Sequence, residues 1–341
     1  MQKTEISTYG EFGLIKHLTE KFKIANTSTE KGVGDDAAVL NYKDKRTLVT
    51  TDLLLEGIHF DLIYVPLRHL GYKAAVVNFS DIYAMNGEPK QITVSLGISK
   101  RFSVEDLEEL YVGIQLACEH YGVDLVGGDT SASLTGLAIS ITCIGEGEDG
   151  KIVYRNGAKP NDLICVSGDL GSAYMGLQLL EREKIVFSGN NEAQPDFDGK
   201  DYILQRQLKP EARRDIILQL REKGILPTSM MDISDGLSSE LMHICSQSNA
   251  GCRIYEDRIP ISYEAAVMAE ELNMNIVTAA LNGGEDYELL FTVSMEDYDK
   301  VIAIDGIGII GHITQPELGL NLVGRQGEEI ALKSQGWNSL E

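Results

Sequence analysis

The stretch 137-LAISITCIGEGEDGK-151 decides how the chain divides. Residues 137–145 read as a strand, and 146-EGEDGK-151 then turns polar and glycine-rich, which marks a break in the fold. With 341 residues the chain exceeds one average domain. The spacing therefore predicts a first domain over 1–148 and a second over 149–341.

Working outward toward the N-terminus, 123-VDLVG-127 and 91-QITVSLGI-98 read as strands. Ser103 followed by Asp106 predicts a capping box that opens a helix over 103–121. Pro66 predicts the start of a long helix that Gly87 and Pro89 close. The runs 36-DAAVL-40 and 47-TLVTTDLLL-55 read as a hairpin joined by 42-YKDK-45, and 11–23 reads as an amphipathic helix. In the second half, strands are expected over 163–168, 230–234 and 307–313. Helices are expected over 172–183, 211–223, 236–247, 262–272 and 296–303, with a hairpin about 324–327 and a surface loop over 188–201. Strands and helices mix in both halves without regular βαβα alternation. The expected fold class is therefore α/β (α+β), two domains with mixed sheets, in preference to a Rossmann or barrel fold.

The formal net charge is −22, and no cluster of basic residues stands out, which argues against a nucleic-acid partner. The five cysteines form no CxxC pair, so neither a disulfide framework nor a zinc knuckle is suggested. No apolar run approaches the ~18 residues of a membrane span, and 1-MQKTEISTYGEF-12 lacks the apolar core of a signal peptide. The expectation is a cytoplasmic protein without a membrane partner.

Six segments place Asp or Glu at a strand end or loop beside Gly or a small hydroxyl residue: 34-GDDAA-38, 50-TTD-52, 80-SD-81, 127-GGDTS-131, 232-DISDG-236 and 283-GGEDYE-288. Each alone is equally well a turn, and Ser234 or Asp235 equally well caps a helix. As a set they point to chemistry. Two carboxylates about 4 Å apart repel by about 4 kcal/mol at an effective dielectric of about 20, so converging Asp residues need protons or cations. Carboxylates with hydroxyls suit hard cations, and Mg²⁺ commonly shares itself between carboxylates and nucleotide phosphates. No P-loop, protein-kinase catalytic set, GxSxG elbow or zinc motif accompanies them. An acidic Mg²⁺ or Ca²⁺ binding protein without enzymatic activity is the alternative.

The ordered motifs 33-VGDDAA-38, 50-TTDLLLEGIHF-60, 72-YKAAVVNFSDIYAMNGEP-89, 126-VGGDTS-131, 153-VYRNGAKPND-162, 232-DISDGL-237 and 283-GGEDYEL-289 resemble the thiamine-monophosphate kinase family across nearly the whole chain. That family shares a superfamily with aminoimidazole ribonucleotide synthetase and selenophosphate synthetase, whose ATP-dependent chemistry is a second alternative. The resemblance implies γ-phosphoryl transfer from ATP to thiamine monophosphate. It also implies a homodimer whose N-terminal domains pair their sheets into a β-barrel, and an ATP cleft that the second domain completes. By motif, Asp36, Thr50, Thr51, Asp52, Asp81, Asp129, Asp232 and Asp235 would hold several Mg²⁺ ions. Tyr111, Gly128, Asp129, Arg155 and Ser234 would contact ATP, and His59, Glu285 and Trp337 would contact thiamine monophosphate. No catalytic general base is expected. Asp35, Asp286 and Glu288 are read as supporting residues.

Overall fold

In β6 (Ala138–Gly147) every second residue is buried: Ile139, Ile141, Cys143 and Gly145 on one face, with Ser140, Thr142 and Ile144 on the other. That period of two is what a strand covered on one face requires. The computed structural model describes residues 17–31, 39–189 and 196–333. They form two compact units, one running up to Ile82 and over Gly87–Gly150, the other holding Tyr83–Asn86 and everything from Lys151 onward.

The first unit is built on a four-stranded sheet, ordered β3 (Arg46–Leu55), β6, β4 (Glu88–Ile98) and β5 (Asp124–Ala132). β6 is antiparallel to both neighbours, and β4 is parallel to β5. Helices α1 (Leu67–Ala84) and α2 (Val104–Tyr121) supply its apolar partners, among them Leu70, Phe79, Leu107 and Ile114. Burying each such side chain stabilises the fold by roughly 1.5–3 kcal/mol. The helices cross closely at Gly71 and Gly113. A Cβ on Gly71 would lie 2.0 Å from the Leu110 carbonyl oxygen, and one on Gly113 would lie 2.0 Å from that of Arg68. Ser103 and Asp106 form the expected capping box of α2. The other face of the sheet stays open, with Val49 66% and Leu53 53% exposed.

One expectation fails here. β2 (Val39–Leu40) pairs antiparallel with β1 (Thr29–Lys31), and β3 pairs with β6 over its whole length, so 36–40 and 47–55 are not two arms of one hairpin. The long ladder between β3 and β6 outweighs the local turn at Tyr42–Lys45, which keeps only one backbone bond, from Lys45 N–H to Tyr42 O. The helix expected over 11–23 lies largely outside the described residues.

The second unit holds a mixed seven-stranded sheet. Its order is β13 (Glu329–Ala331), β12 (Leu320–Val323), β9 (Gly251–Tyr255), β11 (Ile307–Thr314), β7 (Leu163–Ser167), β10 (Leu289–Val293) and β8 (Ser229–Asp232). Among the described residues only β12 and β9 of this sheet are parallel. β7, β10 and β8 are buried at every residue, which explains why they read as continuous runs such as LLFTV rather than alternating ones. One core lies between this sheet and α6 (Leu237–Ser248), joining Ile164, Leu290, Ile233 and Leu241. A second core gathers Met175, Ile203, Met268 and Ala279 from α3 (Ser172–Gly189), α4 (Asp201–Leu208), α7 (Tyr263–Glu271) and α8 (Ile276–Asn282). The expected loop over 188–201 is partly corrected, since α3 runs on to Gly189.

Candidate active site

Strand alternation sorts the TTD motif. Thr50 and Asp52 lie on the covered face of β3, toward α1, whereas Thr51 lies on the open face. Thr50 Oγ donates to Asp81 Oδ2 at 2.5 Å, from β3 to the last turns of α1. Burial and the neighbouring Asp81 charge push the Asp52 carboxyl up to about 7. Two carboxylates and a hydroxyl gathered at one place make a hard oxygen site of the kind that suits a divalent cation. The Thr51 hydroxyl instead donates to the Ile141 carbonyl at 3.1 Å and accepts from Thr142 at 3.1 Å.

Asp129 is placed apart. It sits within β5 opposite Ser95, on the open face, two residues beyond the strand end expected at 127. The sheet order puts β5 three strand spacings, about 14 Å, from β3. Gly128 occupies the covered-face row, where a Cβ would lie 2.0 Å from the Val94 carbonyl oxygen. Tyr111 is buried on α2, edge-on to Phe22, and burial pushes its hydroxyl up to about 12. His59 stands exposed in the turn after β3. Asp36 and Trp337 lie outside the described residues.

In the second unit the DISDG and GGEDYEL motifs interlock. Backbone N–H groups of Glu285 and Tyr287 donate to the carbonyls of Ser234 (2.7 Å) and Ile233 (2.9 Å), and Ile233 N–H donates to Glu288 O at 2.8 Å. This ladder continues the β8–β10 pairing into the loops and brings Asp232, Ser234, Asp235 and Glu285 to one end of the sheet. Asp232 is buried, while Ser234 and Asp235 are exposed. Gly284 explains its own identity: its φ is +70°, and a Cβ would fall 2.4 Å from the Ser234 carbonyl oxygen. Burial raises the Asp235 carboxyl, opposed by the charges of His243 and Arg155.

Three supporting residues were not legible as parts of a site. Glu240, 1% exposed on α6, accepts the Asp235 backbone N–H at 2.9 Å, and burial pushes its carboxyl up to about 8. Gln207 and Arg206 on α4 hold the 285–288 loop through side-chain bonds to Glu285, Asp286 and Glu288. The only sequence signal for Glu240 was its position one helical turn after the DISDG glycine. For α4 there was none beyond the mixed run 201-DYILQRQL-208. Among the described residues no three His, Cys, Asp or Glu side chains converge as a ready metal cluster. The donors that fit Mg²⁺ are the oxygen pair of Asp52 and Asp81 with the Thr50 hydroxyl.

This two-domain layout is shared with a known class. Residues 34–146 match the N-terminal domain of AIR synthase related proteins, and residues 159–314 match their C-terminal domain. The chain is thus an AIR-synthase-related α/β protein with mixed sheets. Within that class it belongs to the thiamine-monophosphate kinase family, and so is a kinase. It is 37% identical over 299 residues to the thiamine-monophosphate kinase of Aquifex aeolicus (strain VF5), covering 88% of this chain and 90% of that one. It is 36% identical over 292 residues to that of Bacillus subtilis (strain 168), covering 85% of each. A solved structure, AaThiL complexed with AMPPCP and TMP, shares the fold with a TM-score of 0.75 at 33% identity over 99% of both chains.

Proposed function

We propose that the protein transfers the γ-phosphoryl group of ATP to thiamine monophosphate by direct in-line displacement, giving thiamine diphosphate and ADP. The observation that carries this reading is the solved relative, which holds AMPPCP and TMP together and matches this chain over 99% of its length. The acceptor is a phosphate monoester, whose second pKa near ~6 leaves it largely dianionic at pH 7, so no general base is needed. The difficulty is bringing two polyanions together, and the work of the protein is positioning and charge neutralisation.

Several Mg²⁺ ions are part of the proposal. Thr50, Asp52 and Asp81 would hold magnesium in the first unit, and Asp232 and Asp235 in the second; Asp36, Thr51 and Asp129 join them by motif. Bound there, Mg²⁺ would neutralise phosphate charge and polarise the transferring group. Arg155, Ser234, Gly128 and Tyr111 are assigned to ATP, and His59, Glu285 and Trp337 to thiamine monophosphate. Tyr111 rests on the motif alone, since its ring is packed against Phe22. The exposed apolar row of Val49, Leu53 and Leu55 on the open sheet face supports a homodimer in which two such sheets cover one another as a barrel. A cytoplasmic location remains part of this reading; no helix among the described residues is long and apolar enough to cross a membrane.

The test is direct. Purified protein is incubated with thiamine monophosphate, ATP and Mg²⁺, and thiamine diphosphate is quantified by chromatography. Product is expected with thiamine monophosphate and not with thiamine. A folded preparation that makes no thiamine diphosphate refutes the reading.

A further inference from the structure

We propose that His59 works in one fixed tautomer, neutral with its proton on Nε2, as a hydrogen-bond donor to a phosphate oxygen of the acceptor. The turn that follows β3 sets this tautomer. The proposal rests on the assignment of His59 to the acceptor.

The turn is firmly built. Gly57 N–H donates to Phe60 O at 2.8 Å, and Ile58 and His59 N–H both donate to Leu55 O, at 3.1 and 2.9 Å. Phe60 is buried beneath it. Glu56 ties the turn to the start of β6. Its N–H donates to Leu137 O at 3.0 Å, its Oε2 accepts Leu137 N–H at 2.9 Å, and its Oε1 accepts the Arg101 guanidinium. Within this frame the Leu55 backbone N–H donates to His59 Nδ1 at 3.0 Å.

A backbone N–H can only donate, so Nδ1 must present its lone pair. In the neutral ring the proton then has one remaining place, Nε2. Among the described residues no other hydrogen bond to the ring occurs, and the residue is exposed. The side chain therefore offers one N–H donor in a fixed direction. Facing a dianionic phosphate monoester, such a donor gives a charge-assisted hydrogen bond, and it favours an acceptor that carries phosphate oxygens over the free alcohol. It does not act as the base of the transfer.

Two experiments test this. Long-range ¹H–¹⁵N spectra of the full-length protein at pH 8, with the His59 signals assigned by their loss in His59→Gln, are expected to show a pyrrole-like Nε2 and a pyridine-like Nδ1. A pyrrole-like Nδ1, or averaging of the two forms, overturns the proposal. This readout needs no turnover, so it stands apart from any failure of the kinase assay. The second compares two amides. The glutamine side-chain nitrogen reaches the Nε2 position and the asparagine nitrogen reaches the Nδ1 position. His59→Asn is expected to raise KM for thiamine monophosphate by about tenfold more than His59→Gln, the worth of one hydrogen bond to a charged group, with KM for ATP equal in the two. Equal KM values for the acceptor, or the reverse order, overturn it.

Discussion

Gln207 on α4 donates its side-chain amide to Glu285 Oε2 at 2.8 Å, joining a helix that carries no motif residue to the carboxylate assigned to the acceptor. Glu285 itself has a left-handed backbone, with φ of 59°. A non-glycine residue holds that conformation at some cost, and only where its surroundings fix it. Beside Gln207, Arg206 reaches the Asp286 carbonyl at 3.3 Å and Glu288 Oε1 at 2.9 Å. Consecutive residues of one helix thus hold the loop at three points.

Replacing Gln207 with leucine keeps the volume and removes the amide. A hydrogen bond to a charged group is worth about 1.5–3 kcal/mol, so KM for thiamine monophosphate is expected to rise about tenfold or more. KM for ATP and the melting temperature should change little. Steady-state kinetics with each substrate varied in turn checks this. Equal changes in the two KM values would mean that Gln207 supports the fold in general rather than the acceptor contact.

Glu288 carries a different load. Its carboxylate, 1% exposed, accepts from Arg206, from Arg213 Nη1 at 2.5 Å and from Ser167 Oγ at 2.5 Å. Removing one partner of a buried ion pair leaves the other charge uncompensated, at about 3–5 kcal/mol. Glu288→Ala is therefore expected to lower the unfolding free energy by about that amount in urea titrations. A loss below about 1 kcal/mol would show that the two arginines find other partners.

These two residues mark the limits of the sequence. The capping box at Ser103 and the strands expected over 137–145 and 163–168 are local patterns, and each survived folding as α2, β6 and β7. The pairing of β2 with β1 was not legible, because two-residue and three-residue strands have almost no periodicity and their partner is chosen by the longer β3–β6 ladder. The same applies to the site. Asp52 and Asp81 stand out by their neighbours in the chain, and the fold brings them together. Gln207 and Glu240 sit in ordinary helical sequence, and only tertiary contact gives them a role. Asp129 reads as lying just past a strand end because 127-GGDTS-131 has turn composition, yet hydrogen bonding to β4 extends the strand through it.

Gly284 joins the two motifs of the second unit. Alanine there would meet the Ser234 carbonyl at 2.4 Å in a backbone conformation that disfavours any side chain. Gly284→Ala is expected to separate the Glu285 N–H from the Ser234 carbonyl and to lower turnover by at least about a hundredfold, a loss of about 2.7 kcal/mol. Hydrogen exchange at the Glu285 and Tyr287 amides reports the same break independently, as faster exchange. Unchanged protection at both amides would contradict the close contact.

The Asp52 carboxyl gives the metal-free protein a pH dependence whose sign is fixed. Burial and then Asp81 raise it to about 7, against about 3.9 for an unfolded chain. Between those values the folded protein binds a proton that the unfolded chain has released, so stability falls as pH rises through the window and the whole cost is present above about 7. Asp286 and Glu240, pushed to about 7 and about 8 by burial, act in the same direction, so the wild-type slope alone does not isolate Asp52. The comparison with Asp52→Asn does. The variant should melt at a higher temperature than the wild type at pH 8, and the gap should narrow toward pH 6. Under the proposed Mg²⁺ role, millimolar Mg²⁺ should raise the wild-type melting temperature at pH 8 and should raise that of Asp52→Asn less, because the ion and the missing charge relieve the same repulsion. A variant that tracks the wild type from pH 6 to pH 8 would show that Asp52 is not held protonated by its neighbours, and an equal Mg²⁺ shift in both proteins would remove Asp52 from the metal site.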